Sequence, residues 1–310
     1  MPQPPENSGQ KTHRVLVTGG SGQLGRELVR ATWPAGWQAV ALGRDALDLA
    51  DPAAIAAAIA DGYHGEPWTA VINAGAYTAV DKAEDDTVGA WTVNALAPAA
   101  MAAACRRAAI PMIQVSTDYV FFGDKESAWD VNDAPSPLSV YGASKLGGEL
   151  AVRTSGVRYA IVRTSWIMSA HGTNFVKTML RLATERDVVR VVSDQRGAPT
   201  SARDLAAAIV SVTIRLSTDP ASPAGVFHFA NAGATDWAAF ATEVFRQSAL
   251  RGGPDAAVER INTVDYPTAA RRPANSLLNT AAIEHAYGIV PRAWPEALSD
   301  ILDELIGTET

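Results

Sequence analysis

Within the stretch SVYGASKLGGE, Ser139 to Glu149, a tyrosine and a lysine stand four residues apart with small residues between them. On a helix four residues rise about 6 Å, so Tyr141 and Lys145 would share a face, one turn apart. An ammonium some 5 Å from a phenol, at an effective dielectric near 20, favours the phenolate by roughly 3 kcal/mol, or about two pKa units. That would move the tyrosine from about 10 towards about 8, a useful range for a proton donor at neutral pH. Tyr-x-x-x-Lys also occurs on ordinary solvated helices, so the pair gains meaning only from a site built around it.

A second chemistry lies near the start of the chain. TGGSGQLG, Thr18 to Gly25, directly follows a short β-branched run and opens a helical stretch. In that context Gly19 permits a tight turn, Gly22 lets backbone N–H groups approach a pyrophosphate, and Gly25 lets helix and strand pack closely. Gln23 and Leu24 lie within the same cradle. Dinucleotide folds place an acid after the second strand to hold the ribose 2′-hydroxyl. Here that region reads VALGRDAL. Arg44 suits a 2′-phosphate and favours NADPH, whereas Asp45 keeps NADH open. Asp48, followed by Leu49, is a candidate for the adenine edge or for a turn.

These groups need a scaffold, and the hydrophobic pattern supplies one. Arg14–Thr18, Trp37–Leu42, Thr69–Asn73, Pro111–Ser116 and Tyr159–Arg163 read as strands, with helical stretches at 22–31, from 51 onward, at 87–108 and at 140–153 between them. Asp51 and Pro52 mark one helix start. Such alternation predicts an α/β protein with a Rossmann-type, doubly wound parallel sheet. The less regular second half predicts a smaller C-terminal α/β lobe for substrate. The expected division is a disordered arm over 1–12, a dinucleotide domain over 13–165 that also takes a strand near 225–230, and a lobe formed mostly by 166–310.

Of 310 residues 47% are apolar and the formal net charge is −7, with Lys and Arg scattered, which excludes a nucleic-acid footprint. The lone Cys105 cannot form an internal disulfide and lies in an alanine-rich run, so a buried helix position and a cytoplasmic setting are expected. No run reads as a membrane span and the N-terminus has no secretory signal, so no membrane partner is expected. The histidines show no ligand spacing, and no metal site is expected from them.

Taken together, TGxxGxxG, Asn73 at a strand end, Ser116-Thr117 and Tyr141-x-x-x-Lys145 resemble the extended short-chain dehydrogenase/reductases. The stretches GGSGQLGREL, INAGAYTAVDKAE, VSTDYVF, YGASKLGGE, RTSWIM, NFVKTMLRLATER, DQRGAPTSA and RRPANSLLN narrow the resemblance to the dTDP-4-dehydrorhamnose reductases, over about Val15 to Asn279. The resemblance implies reduction of a nucleotide-sugar 4-ketone in polysaccharide biosynthesis. Tyr141 would protonate the C4 oxygen, Lys145 would hold the nicotinamide ribose and tune the tyrosine, and Thr117 would bond the same oxygen. Ala74, Gly75 and Thr78 would line the cofactor. Asn94, counted with the cofactor residues, would support the active-site helix. Asp118, Tyr119, Val120, Trp166, Arg272, Asn275 and Ser276 would meet the nucleotide sugar.

Three departures stand out. Phe122 precedes Gly123 where the family commonly has aspartate then glycine. Gly75 replaces a common alanine. Some relatives are dimers bridged by Mg²⁺ through glutamates; Glu27 fits one such position but Arg203 stands at another, so a structural Mg²⁺ is discounted while a homodimer stays open. A sugar-nucleotide epimerase and a non-catalytic dinucleotide-binding regulatory subunit are the rival readings.

Overall fold

The structure is a computed structural model that describes residues 12–307; the arm expected over 1–12 lies outside them apart from Thr12. The first half alternates as the pattern requires. It runs β1 (His13–Thr18), α1 (Gln23–Arg30), β2 (Trp37–Leu42), α2 (Pro52–Asp61), β3 (Ala70–Asn73), α3 (Val80–Asp85) and α4 (Thr87–Trp91). A π-helical turn over Thr92–Leu96 leads into α5 (Ala97–Ala108), followed by β4 (Met112–Thr117), α6 (Val140–Thr154) and β5 (Tyr159–Thr164). Asp51 caps α2 by accepting from Ala53 N and Ala54 N, with Pro52 in the first turn.

The second half runs β6 (Ile167–Met168), α7 (Phe175–Ala183), β7 (Val188–Val192), β8 (Arg196–Gly197), β9 (Thr200–Ser201), α8 (Ala202–Thr218) and β10 (Gly225–His228). It ends with β11 (Thr235–Asp236), α9 (Trp237–Ala249), β12 (Ala257–Ile261), α10 (Ala281–Tyr287) and α11 (Trp294–Ile306). The main sheet has six strands in the order β2-β1-β3-β4-β5-β10, every neighbouring pair parallel. The strand near 225–230 therefore does return to this sheet, beside β5.

Both faces of the sheet are covered. One core holds Val15, Val17, Ile72 and Val162 under α1 and α8, with Phe227 and Tyr287 from the late chain. The other holds Leu16, Val71 and Ile161 under α2 and α5. A third core, with Met168, Phe240 and Leu298, joins α7, α9 and α11 to the parallel pair β7–β12. Thus α8 and α10, beyond residue 165, pack with the main sheet, because burying the sheet's second face requires helices that the first half does not supply.

Helix 87–108 corrects one expectation. Its 22 residues are long and apolar enough to cross a membrane by length and composition, although half of its apolar 18-residue window is buried within the fold. Met101, Ala102 and Cys105 face the sheet, and burial pushes the Cys105 thiol up to about 12. Three acids of DKAEDD hold structure together. Asp81 pairs with Arg272 at 2.7 Å, Glu84 accepts from Val140 N at 2.9 Å at the start of α6, and Asp86 caps α4.

Candidate active site

Between β1 and β3 the strand order reverses, which is where doubly wound sheets open a ligand crevice at their C-terminal edge. A cleft of about 990 Å³ lies there. Gly19, Gly22, Gln23 and Leu24 form one wall, Arg44, Asp48 and Leu49 one end, and Ala74, Gly75 and Thr78 the floor beyond β3. Thr117, Asp118, Tyr119, Tyr141, Lys145 and Trp166 line the other end. The loop expected to hold a dinucleotide and the pair expected to deliver a proton thus share one cavity.

The glycine loop fits a dinucleotide phosphate for a physical reason. Gly22 starts α1 with no side chain capping it, leaving the helix N-terminus to whatever occupies the cleft. A Cβ on Gly25 would lie 2.2 Å from the Gly19 carbonyl oxygen, so only glycine lets the helix sit this close. Below the loop a buried relay crosses three strands: Thr18 Oγ1 donates to Asn73 Oδ1 at 2.6 Å and Asn73 Nδ2 to Gln114 Oε1 at 2.9 Å. It ties the ends of β1 and β3 to the middle of β4. At the far end Arg44 is largely exposed and only 4.0 Å from Asp48, free to meet an anion. Asp48 accepts from Ala50 N, the turn role that the sequence left open.

Ser139 caps α6 by accepting from Gly142 N, which starts the helix at Val140, one residue before Tyr141. The small residues after Tyr141 face protein rather than cofactor: a Cβ on Gly148 would lie 2.2 Å from the Asn94 carbonyl oxygen. They let α6 press against the π-turn. Asn94 itself does not line the cleft. It accepts from Tyr77 N and donates to Ser144 Oγ at 3.0 Å, tying the cofactor floor to α6. The π-turn over Thr92–Leu96 carries Asn94 in this bridging position.

The electrostatics differ from the simple pair. Burial pushes the Tyr141 phenol up to about 12, the nearby Asp118 charge adds to this, and the Thr117 hydroxyl pulls the other way. Lys145, one turn along the helix, turns its Nζ to the Val115 carbonyl and donates to it at 2.7 Å. Burial brings the lysine down to about 8 against the opposing charge of Glu149. Asp118, 3% exposed, is raised to about 6 by burial, against the Ser276 and Thr117 hydroxyls, which pull it down; Thr117 Oγ1 donates to its Oδ1 at 2.9 Å.

Trp166 holds φ +46°, a left-handed value rare for a bulky residue, and its ring stacks on Trp237 with centroids 3.6 Å apart. Gly197 has no side chain to collide with that ring. The strained backbone presents a flat apolar wall to the cleft.

A family model described as "RmlD substrate binding domain" matches residues 13–306. The dTDP-4-dehydrorhamnose reductase of Burkholderia thailandensis is 42% identical over 300 residues, covering 94% of this chain and 99% of that one. The chain belongs to the dTDP-4-dehydrorhamnose reductase family. As a member it is an NAD(P)H-dependent oxidoreductase. The solved dTDP-4-dehydrorhamnose reductase of Clostridium acetobutylicum superposes with a TM-score of 0.86 at 35% identity, covering 94% of this chain and 99% of that one. The Bacillus anthracis dTDP-4-dehydrorhamnose reductase, solved in complex with NADP, gives 0.85 at 32% identity with the same coverage.

Several residues that the family resemblance pointed to lie outside the cleft. Val120 is fully buried with Phe121, Trp129 and Leu278 in a separate apolar cluster. Asn275 Nδ2 donates to the Lys125 and Ser127 carbonyls, fastening a loop. Ser276 is buried beside Asp118. Arg272 is held by Asp81 near Tyr119. Phe122 is 41% exposed and not in the cleft wall. The resemblance runs through NFVKTMLRLATER but assigns no site role to Asn174 or to Gly172 and Thr173 before it, and all three line the cleft. Asn174 Nδ2 and Ser169 Oγ both donate to Gln23 Oε1, clasping this loop to the start of α1. NFVKT, where Asn174 caps α7, was the available signal.

The Mg²⁺ bridge of some family members does not fit here. Arg30 Nη1 donates to Glu304 Oε1 at 2.7 Å and Arg203 Nη2 to Glu304 Oε2 at 3.1 Å. His171 Nε2 lies 3.3 Å from Glu27 Oε1, and Arg203 Nε lies 4.0 Å from Glu27 Oε2. Two guanidinium groups already neutralise two carboxylates. Among the described residues no group of three or more His, Cys, Asp or Glu side chains is arranged to hold a metal ion. Treatment with EDTA is expected to leave both turnover and gel-filtration volume unchanged; a shift in either would show a divalent cation at work.

Proposed function

We propose that the protein reduces the 4-keto group of dTDP-4-dehydro-L-rhamnose to give dTDP-L-rhamnose, with NADPH as the preferred donor and Tyr141 as the proton donor. The observation that carries this reading is the convergence of Thr117, Tyr141 and Lys145 on the cleft that the glycine loop also lines. Bound there, the nicotinamide dinucleotide supplies the hydride. The chain's residues do the rest. With its phenol raised to about 12, Tyr141 is protonated at neutral pH, the form a donor needs. The Thr117 hydroxyl stands beside it to steady charge developing on the ketone oxygen. Lys145, a turn further along, places a positive charge at the same wall. The Asp118 carboxylate would meet the sugar at the cleft wall, and Trp166 offers an apolar face to the deoxysugar.

The test is NADPH oxidation, followed by its absorbance, with the 4-keto sugar nucleotide as substrate. Absence of turnover removes the reading. NAD retained through purification with no net consumption would instead mark an epimerase.

Arg44 carries the coenzyme preference. Arg44→Ala is expected to raise the KM for NADPH by about 10-fold or more, through loss of a charge-assisted contact to the 2′-phosphate, and to leave that for NADH within about twofold. Equal losses for both coenzymes would place the arginine elsewhere.

A further inference from the structure

The face of α6 that carries Tyr141 and Lys145 continues, four residues on, to Glu149, which is fully buried. Its carboxylate is saturated. Arg163 on β5 donates Nε to Oε1 at 2.9 Å and Nη2 to Oε2 at 2.7 Å, and Ser116 Oγ on β4 donates to Oε1 at 2.5 Å. Arg163 is 1% exposed, with its guanidinium carbon 5.0 Å from the Phe121 ring centre. Its remaining Nη1 lies 3.5 Å from His228 Nε2, and His228 Nδ1 lies 3.2 Å from the Trp129 carbonyl. With His228 neutral, its Nδ1–H donates to that carbonyl and its Nε2 accepts from Arg163.

A buried ion pair is a poor device for stability alone, since an apolar pair of similar volume serves as well or better. Its placement here is specific. Val115 binds Lys145, Ser116 binds Glu149, and Thr117 is the next residue. Consecutive residues of β4 are thus pinned to successive turns of α6.

We propose that Glu149, anchored by Arg163, is a positioning residue for the reaction: it fixes the end of β4 against α6 so that Thr117, Tyr141 and Lys145 meet at one point. This rests on the reductase reading above. The charged and titratable groups around that face are Glu149 and Tyr141 on α6, Asp118 beyond β4, Arg163 on β5 and His228 on β10.

The test uses Ser116→Ala and Glu149→Gln in the full chain, after wild-type turnover has been measured, so that failure of the function itself is seen first. Ser116→Ala removes one hydroxyl and keeps the ion pair; kcat is expected to fall about 10-fold with the KM for NADPH within about twofold, the mark of lost alignment rather than lost binding. Glu149→Gln still accepts from Ser116 but removes the charge that favours the Lys145 ammonium. The alkaline limb of its pH–rate profile is therefore expected to move about one pH unit towards acid. Because the neutral amide would leave Arg163 buried and unpaired, Glu149→Gln/Arg163→Met replaces the whole pair and is expected to show the same shift. Should both Glu149 variants fail to fold, Ser116→Ala decides alone. Wild-type kcat in Ser116→Ala, or an unmoved pH limb in the folded Glu149 variants, would overturn the proposal.

Discussion

Tyr141→Phe is expected to lower kcat by about 10²–10⁴-fold, the usual worth of a positioned proton donor, while the KM for NADPH stays within about threefold. The hydroxyl is the only group removed. The phenyl ring keeps its place opposite Tyr119, whose ring centre is 5.5 Å away in an edge contact, so the cleft wall persists. Binding and chemistry therefore separate cleanly. Tyr141 is held as a phenol well above neutral pH, so loss of its own proton does not limit the wild-type rate near neutrality. Lys145 is brought down to about 8, and its positive charge is lost as pH rises through that value. The wild-type rate is accordingly expected to decline above about pH 8. The residual rate of the Tyr141→Phe variant is expected to decline over the same range, because the lysine is untouched. Full turnover in that variant would assign the proton to another group; Thr117 is the first to examine.

The parts of this site that were legible in the sequence are those encoded locally. The glycine spacing, the strand before it and the helix after it lie close together in the chain, and they form the cradle that the pattern implies. Arg44 closely follows β2, so its place at the cleft end comes from strand length alone. Residues 141 and 145 are one helical turn apart, and helix geometry decides their common face. What stayed hidden depends on contacts between distant segments. Nothing near Glu149 announces that Arg163 and Ser116 will meet it. The Val115 carbonyl that takes up the lysine is 30 residues away in sequence.

The same distinction applies to the sugar-pocket residues that the resemblance implies. Asn275 and Arg272 lie in a Pro- and Arg-rich loop without periodicity, and their roles emerge only when that loop packs on residues near 81 and 125. Likewise, α8 reads as a helix from its apolar spacing, but its assignment to the main sheet depends on an uncovered face several elements earlier. Trp166 carries no local sign of its left-handed backbone; that conformation is held by the stack on Trp237 and by the bare Gly197 beneath.

The second large effect is expected at Gly25. An alanine methyl here would lie 2.2 Å from the Gly19 carbonyl oxygen and 2.8 Å from both the Gly19 carbonyl carbon and Gly20 Cα. All three are backbone atoms, so no rotamer change relieves the contact. Either α1 moves outward by about 1 Å or the phosphate loop deforms, and displacements of that size in a preorganised site cost about 100-fold. Gly25→Ala is thus expected to raise the Kd for NADPH about 100-fold in a fluorescence titration and to destabilise the fold by about 1–3 kcal/mol. Gly43→Ala isolates the steric cause. Nothing lies within 4 Å of a methyl at position 43. Its melting temperature is expected to match or slightly exceed that of the wild type, since alanine narrows the unfolded ensemble. A Gly25→Ala protein that binds NADPH normally would mean that helix and loop slide apart freely, and the close approach seen at the phosphate cradle would then not be what holds the coenzyme.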